Sequence, residues 1–565
     1  MATILENFQT FNIHHLNMLL MIGIAIFFAT AGAHIFQKLR IPQVVGYVAM
    51  GIVLGPILKI IPPQIVESFR PLSMFALGII GFLIGGELKK DIFVKYGKQV
   101  FYILLYEGLA AAVFAGLLCF FALMLFFDWK ISVAAAIVFG AICSATDPAS
   151  TVAVLWEYKC RGPLTTMLIT IVALDDALAA LLYIISVAVS DILVGTGHQS
   201  SFGILLLNAF YEACGSLLMG FIVGMLLKWL MVRIEDIEKL FIATVGIIII
   251  IVGLSMSLGF DVILSSMACG ATLINVAPRR SASSFETIQK FSSPLYVLFF
   301  VIIGATLDIS GITKSMLPVL AAYVVGTVIG KTAGSWLGAI SSGACASIRK
   351  YLGTSLYQQG TVAIALLIVA SARFEGQVRS MMLAVIIAGI FIFQMFGPIF
   401  VKISVKKARE VGMDVTEEDL IRQYSVKEVM DSNPTTLRED LPLDEIINIF
   451  STTDSLYYPV IDEQSKLKGV ISVSGIKETF AYQNVASWLL ACDIAQPALD
   501  KTTWNTPLTE AMEHMKQFDL EYMPVVSGDN NKLVGIIDAR AVNRKISAEV
   551  VKKHKQADEM AAMNA

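Results

Sequence analysis

Thirteen stretches within the first 405 residues are apolar for about the ~20 residues that a helix needs to cross a bilayer, too many for one water-soluble core to absorb. They fall near 16–36, 43–58, 73–88, 99–126, 131–156, 164–190, 203–231, 240–258, 262–277, 292–308, 316–341, 350–373 and 380–401. Hydrocarbon offers backbone N–H and C=O groups no partner, so these runs must be helices, and the expected fold is an all-α polytopic membrane domain of about 13 transmembrane helices. The charge is placed elsewhere. Residues 406–565 hold 44 of the Lys, Arg, Asp and Glu residues, against 43 in the 405 residues before them. The organisation expected is therefore a transmembrane domain at 1–405, a linker at 406–424, a soluble module at 425–548 and a charged tail at 549–565.

The first run carries small residues at Ala29–Ala33 that look like a signal-peptide cleavage site, but nothing basic precedes it, so it reads as a retained helix. Lys and Arg between runs set the orientation. One alternating set of loops, from Lys38 and Arg40 to Arg349 and Lys350, holds sixteen; the other, Lys59, Arg70, Lys130, Lys314, Arg373 and Arg379, holds six. The richer set is cytoplasmic, which puts the N-terminus outside, the tail inside and the protein in the cytoplasmic membrane. A net charge of −3 without a basic stripe excludes nucleic acid as a partner. The seven cysteines show no metal-ligand spacing and read as packing.

Ionisable residues inside such runs each cost ~2.5–3.5 kcal/mol on insertion and need a reason. Thr146-Asp147-Pro148 lies in the fifth run, where proline removes a donor and interrupts the helix. Asp147 and Thr146 then either offer oxygens to a cation beside freed carbonyls, or Asp147 caps the second half-helix; the two roles can coexist. Asp175-Asp176 lies near mid-depth of the sixth run, the two carboxylates pointing about 100° apart and so serving different partners. Lys331, deep in the eleventh run, needs an acid, and Asp175 or Asp176 is nearest by depth. Glu107 in the fourth run, with Glu87 and Lys89 at the end of the third, reads as interfacial or structural.

These residues together resemble the monovalent cation/proton antiporter superfamily, in its branch with paired aspartates and a matching lysine, over about residues 16–402. Arg40 to Tyr47 with Gly55-Pro56 is similar to the start of that family's second helix, and Pro294 to Asp308 to its ninth-to-tenth helix segment. The resemblance implies inverted repeats, two crossed and interrupted helices in the fifth and twelfth runs, and a homodimer. Breaks in the second are expected at Gly353 and Gly360. Several relatives carry arginine just before that second glycine, where this chain has Gln359.

The resemblance also implies roles. Asp176 matches the carboxylate that holds a proton or a cation in turn, Asp175 matches the partner of Lys331, and Thr146 and Asp147 match the crossed-helix ligands. The implied activity is secondary transport, not enzymatic catalysis: Na⁺ or K⁺ is exchanged for H⁺ because only a neutralised Asp176 crosses the low-dielectric barrier. Lys331 releases its pair or its proton when the cation binds, which makes exchange electrogenic. No cofactor is implied.

The tail contains a repeat. Leu456 to Ile461 matches Glu521 to Val526 at an offset of 65, and Lys466 to Ile471 matches Lys532 to Ile537 at 66, with amphipathic helices at 441–450 and 508–518. The pattern resembles a tandem pair of CBS motifs, units at 425–480 and 490–548, giving a small α/β domain of a type that commonly binds adenine nucleotides. Such units carry an acid for the ribose hydroxyls six residues after a strand glycine. After Gly469 and Ser472 the first unit has Gly475; after Gly535 and Asp538 the second has Ala541. Ser472 and Asp538 are the candidate ligand residues that remain, and a structural or dimerising role stands level with sensing.

A CBS pair also follows the membrane part of chloride channels and exchangers, magnesium channels and intramembrane zinc proteases. No histidine here is followed by glutamate, against a His-Glu-x-x-His protease, and paired aspartates oppose an anion pathway. No carbonyl filter like that of a potassium channel occurs. A gated K⁺ efflux system of the same superfamily is the remaining alternative, and Na⁺, K⁺ and Li⁺ are not told apart by carboxylate, hydroxyl and carbonyl oxygens.

Overall fold

The described residues of the thirteen apolar runs lie mostly on helix in the computed structural model, the fifth and twelfth runs being interrupted. It describes residues 18–39, 41–61, 68–194, 202–234, 236–306, 313–371, 374–453, 455–472, 489–528 and 530–563. Arg40, Asp308, Arg373 and Gly475, used in the sequence reading, lie outside the described residues. The chain separates into two compact units: one ends at Gly412 and takes in the residues from Ala557, and the other is Met413–Gln556.

The first unit is helical throughout. It runs α1 (Met18–Lys38), α2 (Gln43–Ile52, continued by a π turn at Val53–Ile57), α3 (Arg70–Glu87), α4 (Lys90–Leu123), α5 (Trp129–Ser144), α6 (Pro148–Glu157) and α7 (Pro163–Val194). There follow α8 (Phe202–Arg233), α9 (Ile237–Leu258), α10 (Val262–Val276), α11 (Pro278–Thr306), α12 (Leu317–Ser341), α13 (Ala346–Tyr351), α14 (Thr361–Ser371) and α15 (Gly376–Lys407). Among the described residues 10 spans are long and apolar enough to cross a membrane, with α5 and α6 counted as one. Gln43–Ile57 and Val262–Val276 are shorter apolar helices. The twelfth run is divided between α13 and α14.

Two helix starts differ widely from expectation, and one is that of α4, which begins at Lys90 and not at 99. The run expected at 292–308 is the second half of α11, which begins at Pro278 and keeps Pro294 inside it. Its first half carries Arg279, Arg280 and Lys290, too polar for a hydropathy reading. Proline at the first helical position still starts it without losing a hydrogen bond.

The most extensive helix pair is α4 with α12. Their backbones touch because α12 presents glycine at every fourth residue. A Cβ added to Gly326, Gly330, Gly334 or Gly338 would lie 2.5–2.7 Å from Cα of Ala115, Ala111, Glu107 or Ile103 in turn. Residues four apart share one helix face, so the row is continuous.

The second unit repeats one motif. β1 (Leu437–Arg438), α18 (Leu443–Thr452), β2 (Tyr457–Ile461) and β3 (Leu467–Ser472) recur as β4 (Thr502–Thr503), α20 (Leu508–Gln517), β5 (Tyr522–Val526) and β6 (Leu533–Asp538). Three short helices, α16 (Glu417–Gln423), α17 (Val426–Val429) and α19 (Ala491–Ile494), surround them, and α21 (Ala539–Met563) follows β6. In both sheets the first pairing is parallel and the second antiparallel, with Leu437 opposite Val460 and Thr502 opposite Val525. Both carry an irregularity at the same place, Val460/Ile461 and Val525/Val526. The 65-residue offset read from the sequence is therefore a structural register. Tyr457 and Tyr522, equivalent in the two repeats, stack with ring centroids 5.2 Å apart.

Candidate ion site at two interrupted helices

The first interruption follows from proline chemistry. Pro148 has no N–H to give and opens α6, so the chain leaves the helix at Ala145 (φ −58°, ψ 135°) and re-enters it after Asp147 (φ −79°, ψ 107°). Asp147 caps α6, its Oδ1 accepting from the Ala149 N–H at 3.2 Å. The second interruption is made with glycine. Between α13 and α14 the chain passes through a 3₁₀ turn at Gly353–Ser355 and an irregular stretch over 356–360. A Cβ on Gly360 would lie 2.5 Å from Asp147 Cγ, and one on Gly353 2.7 Å from Thr332 Cα. Both glycines permit an approach that any side chain would block.

The two interruptions meet and consume most of each other's loose polar groups. The Asp147 N–H donates to the Gln358 carbonyl at 2.9 Å, and Gln359 Nε2 donates to the Cys143 carbonyl at 3.1 Å. Gln394, from α15, donates to Asp147 Oδ2 at 2.9 Å and to the Gln359 carbonyl at 2.6 Å. The Ser150 and Thr151 hydroxyls donate to Gln358 Oε1, and the Tyr323 hydroxyl donates to Gln359 Oε1. Backbone polarity that lipid could not satisfy is thus satisfied within the protein.

Against this crossing stands a buried charge cluster. Lys331 donates to the Ser144 carbonyl at 2.8 Å and to Thr146 Oγ1 at 2.6 Å, and the Thr146 hydroxyl in turn donates to Asp175 Oδ2. Lys331 Nζ is 3.7 Å from Asp175 Oδ2 and 3.0 Å from Glu107 Oε1, all three side chains being fully buried. Depth along single runs points to Asp175 or Asp176 as the nearest acid and leaves Glu107 interfacial or structural. The nearest acid is Glu107. The glycine row of α12 draws α4 in until Glu107 and Lys331 touch, which no reading of single runs reveals.

Asp176 lies one helical step from Asp175 and faces away from this pair. Its Oδ1 is buried and has no hydrogen-bond partner among the described residues. The charges that act on it are those of Asp261, Asp175, Asp147 and Lys331. Glu107, Asp175 and Asp176 set three carboxyl groups near one ammonium, and in a low dielectric any uncompensated anion draws in a proton or a cation. Among the described residues no group of three or more His, Cys, Asp or Glu is arranged to hold a metal ion. The seven cysteines are free, five of them buried.

The helix that carries the aspartates is fixed at its start by a residue the sequence reading passed over. Glu410 Oε1 accepts from the Leu164 N–H at 2.8 Å, and its Oε2 accepts from the Thr165 N–H and hydroxyl at 2.7 Å each. A buried acid beside a helix N-terminus complements the helix dipole. Burial pushes the Glu410 carboxyl above the ordinary glutamate range, while the bonds from Thr165 and Leu164 pull it back. Gln394 was equally missed, since a neutral amide in an apolar run carries no charge signal.

The remaining predicted residues lie in the second unit. Ser472 and Asp538 end the equivalent strands β3 and β6. Asp538 Oδ1 accepts from the N–H groups of Arg540 and Ala541 at 2.8 and 3.2 Å, which starts α21.

Comparison with known proteins agrees with these two units. Residues 23–407 match the family described as sodium/hydrogen exchanger, transmembrane, and residues 426–482 and 505–548 match the CBS domain. A Na(+)/H(+) antiporter of Enterococcus hirae is 25% identical over 347 residues, 60% of this chain and 85% of that protein. The ammonium/H(+) antiporter subunit AmhT of Alkalihalophilus pseudofirmus is 24% identical over 380 residues, 66% of this chain and 92% of that one. Among solved structures, the sodium proton antiporter MjNhaP1 of Methanocaldococcus jannaschii superposes with a TM-score of 0.57 at 18% identity, covering 69% of this chain and 97% of that one. That likeness shows a shared fold.

Proposed function

Because the chain belongs to the sodium/hydrogen exchanger family, we propose that it exchanges a monovalent cation, Na⁺ first, for H⁺ across the cytoplasmic membrane, and that Asp176 carries both in turn. The observation that supports this reading most directly is the buried, unpartnered Asp176 oxygen in the middle of an apolar helix. As a bare carboxylate the site is costly to carry through the low-dielectric barrier; neutralised by a proton or a cation it is not. Competition for one carboxylate couples the two fluxes.

In this reading Asp175 and Lys331 tune the field at Asp176. Thr146 and Asp147 stand at the edge of the site with their oxygens engaged by Lys331, Ala149 and Gln394. Thr146 becomes a cation ligand when Lys331 releases it, while Asp147, a ligand on the resemblance alone, serves α6 as its cap. The crossing of the fifth and twelfth runs gives the core a pivot for alternating access between inverted repeats. Counting α2, α10 and the divided α13–α14 segment as crossings gives thirteen. That count, with the sixteen-to-six distribution of loop Lys and Arg, favours an N-terminus outside and a cytoplasmic CBS pair. We assign a homodimer on the family resemblance. Relatives named as antiporters favour obligate exchange over gated K⁺ efflux.

For the CBS pair a structural role is favoured over adenosine binding, because the Asp538 oxygen that could face a ribose serves the start of α21. Calorimetric titration of the full chain with ATP, AMP and cyclic dinucleotides tests this, and heat of binding with any of them would restore sensing.

The decisive variant is Asp176→Asn in proteoliposomes carrying a pH-sensitive dye, with Na⁺, Li⁺, K⁺ and NH₄⁺ tried separately. The expected result is a folded protein with no cation-dependent proton flux. Retained flux with any of the four cations refutes the assignment, and the wild-type ranking of the four identifies the substrate.

A further inference from the structure

Lys331 has two acids within reach, and they are held differently. Glu107 Oε1 is 3.0 Å from its Nζ and Asp175 Oδ2 is 3.7 Å away. Asp175 Oδ2 is also served by the Thr146 hydroxyl. Glu107 is fully buried, and neither of its oxygens has a hydrogen-bond partner among the described residues. What balances Glu107 is the Lys331 ammonium, and removing one partner of such a pair leaves a buried charge uncompensated.

The helices that carry the two acids are packed differently as well. Glu107 and Lys331 ride on α4 and α12, whose backbones touch at Gly330, Gly334 and Gly338. That contact holds Glu107 and Lys331 side by side. Asp175 rides on α7 with Asp176; it meets the pair through the Thr146 hydroxyl, a longer ion pair to Lys331 and a carboxyl contact with Glu107.

We infer that Glu107 is a positioning residue for the exchange: it is the standing counter-ion of Lys331, and by holding that ammonium it leaves Asp175 free to turn toward a cation arriving at Asp176. This rests on the exchanger reading above. It removes the need for Lys331 to surrender its charge in each cycle, because the lysine keeps one partner when Asp175 leaves. Without Glu107 the ammonium has Asp175 alone, and the cation must compete with Lys331 for it.

The test is the concentration of cation for half-maximal exchange, read separately from the maximal rate, in proteoliposomes reconstituted with the full chain. Glu107→Gln is expected to raise that concentration roughly tenfold, within the range typical of coupled sites, while the maximal rate stays within about threefold of wild type. Glu107→Asp keeps the charge but retracts it by a methylene and should fall between the two. Glu107→Gln combined with Lys331→Gln should bind the cation more tightly than Glu107→Gln alone, since both partners of the pair are then gone.

A Glu107→Gln protein with the wild-type half-maximal concentration overturns the inference, as does one whose maximal rate falls while that concentration holds. If Glu107→Gln does not fold, Glu107→Asp decides, and an unchanged half-maximal concentration there counts against the inference. Flux retained by Asp176→Asn sinks the exchanger reading itself; flux lost there, with Glu107→Gln unaltered, sinks this inference alone.

Discussion

Two sets of carboxylates stand in the membrane unit, and their oxygens meet different fates. At helix starts, Asp147 accepts from the Ala149 N–H, Asp261 from the Leu264 N–H at 2.6 Å, and Glu410 from Leu164 and Thr165. In mid-helix, Glu107, Asp175 and Asp176 each keep a buried oxygen without a hydrogen-bond partner among the described residues. A helix N-terminus carries unpaired N–H groups and about half a positive charge, so it absorbs an acid completely; the middle of a helix offers nothing of the kind. On the exchanger reading proposed above, acids of the first set hold the scaffold, while in the second Asp175 and Asp176 retain negative charge for a mobile ion and Glu107 holds Lys331. On that reading, position along the helix, more than burial, separates the two roles.

The strongest test of the first set is Glu410→Ala. It leaves the N–H groups of Leu164 and Thr165 and the Thr165 hydroxyl without their acceptor, and each buried donor so orphaned costs roughly 1–3 kcal/mol. Thermal unfolding in detergent should show the loss. The pH dependence has a definite sign. Burial raises the folded-state value of Glu410 above the ordinary 4.5, so between those two values the native protein binds more protons than the unfolded chain. Wild-type stability therefore falls as pH rises through that window, and the gap to Glu410→Ala is widest at its acid end. A gap that widens toward alkaline pH would contradict the burial argument.

Next in size is Gly360→Ala. Its Cβ would lie 2.5 Å from Asp147 Cγ and 2.8 Å from Asp147 Oδ2, so either the capping carboxylate or the crossing must shift, at a cost of about 1–3 kcal/mol. Because Asp147 belongs to the scaffold set, stability and maximal rate should fall together. A change in cation preference with stability intact would move Asp147 into the other set.

The division also explains what the sequence discloses. Thr146-Asp147-Pro148 announces its break because proline cannot continue a helix and aspartate is a good cap, both local properties. Gly353 and Gly360 are named by the resemblance as breaks, and the chain there runs through a 3₁₀ turn and an irregular stretch. The CBS repeat is legible because an offset of 65 residues keeps strand register, as Leu437 opposite Val460 and Thr502 opposite Val525 confirm. Glu107 was misplaced for a geometric reason. The apolar run starts at 99, but α4 starts at Lys90, nine residues or ~13 Å earlier, and that moves Glu107 from near the end toward the middle of its helix. The Gln394 amide and the Gln359 carbonyl, 35 residues apart, meet only because α15 packs against the second interruption; no local pattern encodes that.

The smallest effect discriminates most sharply. At an N-cap asparagine is as good as aspartate, whereas alanine costs about 1 kcal/mol. Asp147→Asn should therefore keep both the fold and cation-dependent proton flux, while Asp147→Ala loses about 1 kcal/mol of thermal stability for want of an acceptor for the Ala149 N–H. Asp176→Asn, chemically the same change in mid-helix, should keep the fold and abolish flux. Measuring unfolding and dye quench on the three proteins separates the sets directly. If Asp147→Asn is as inactive as Asp176→Asn while equally well folded, the Asp147 charge is used in transport despite its cap, and the helix-start rule fails at the one place where the two interrupted helices meet.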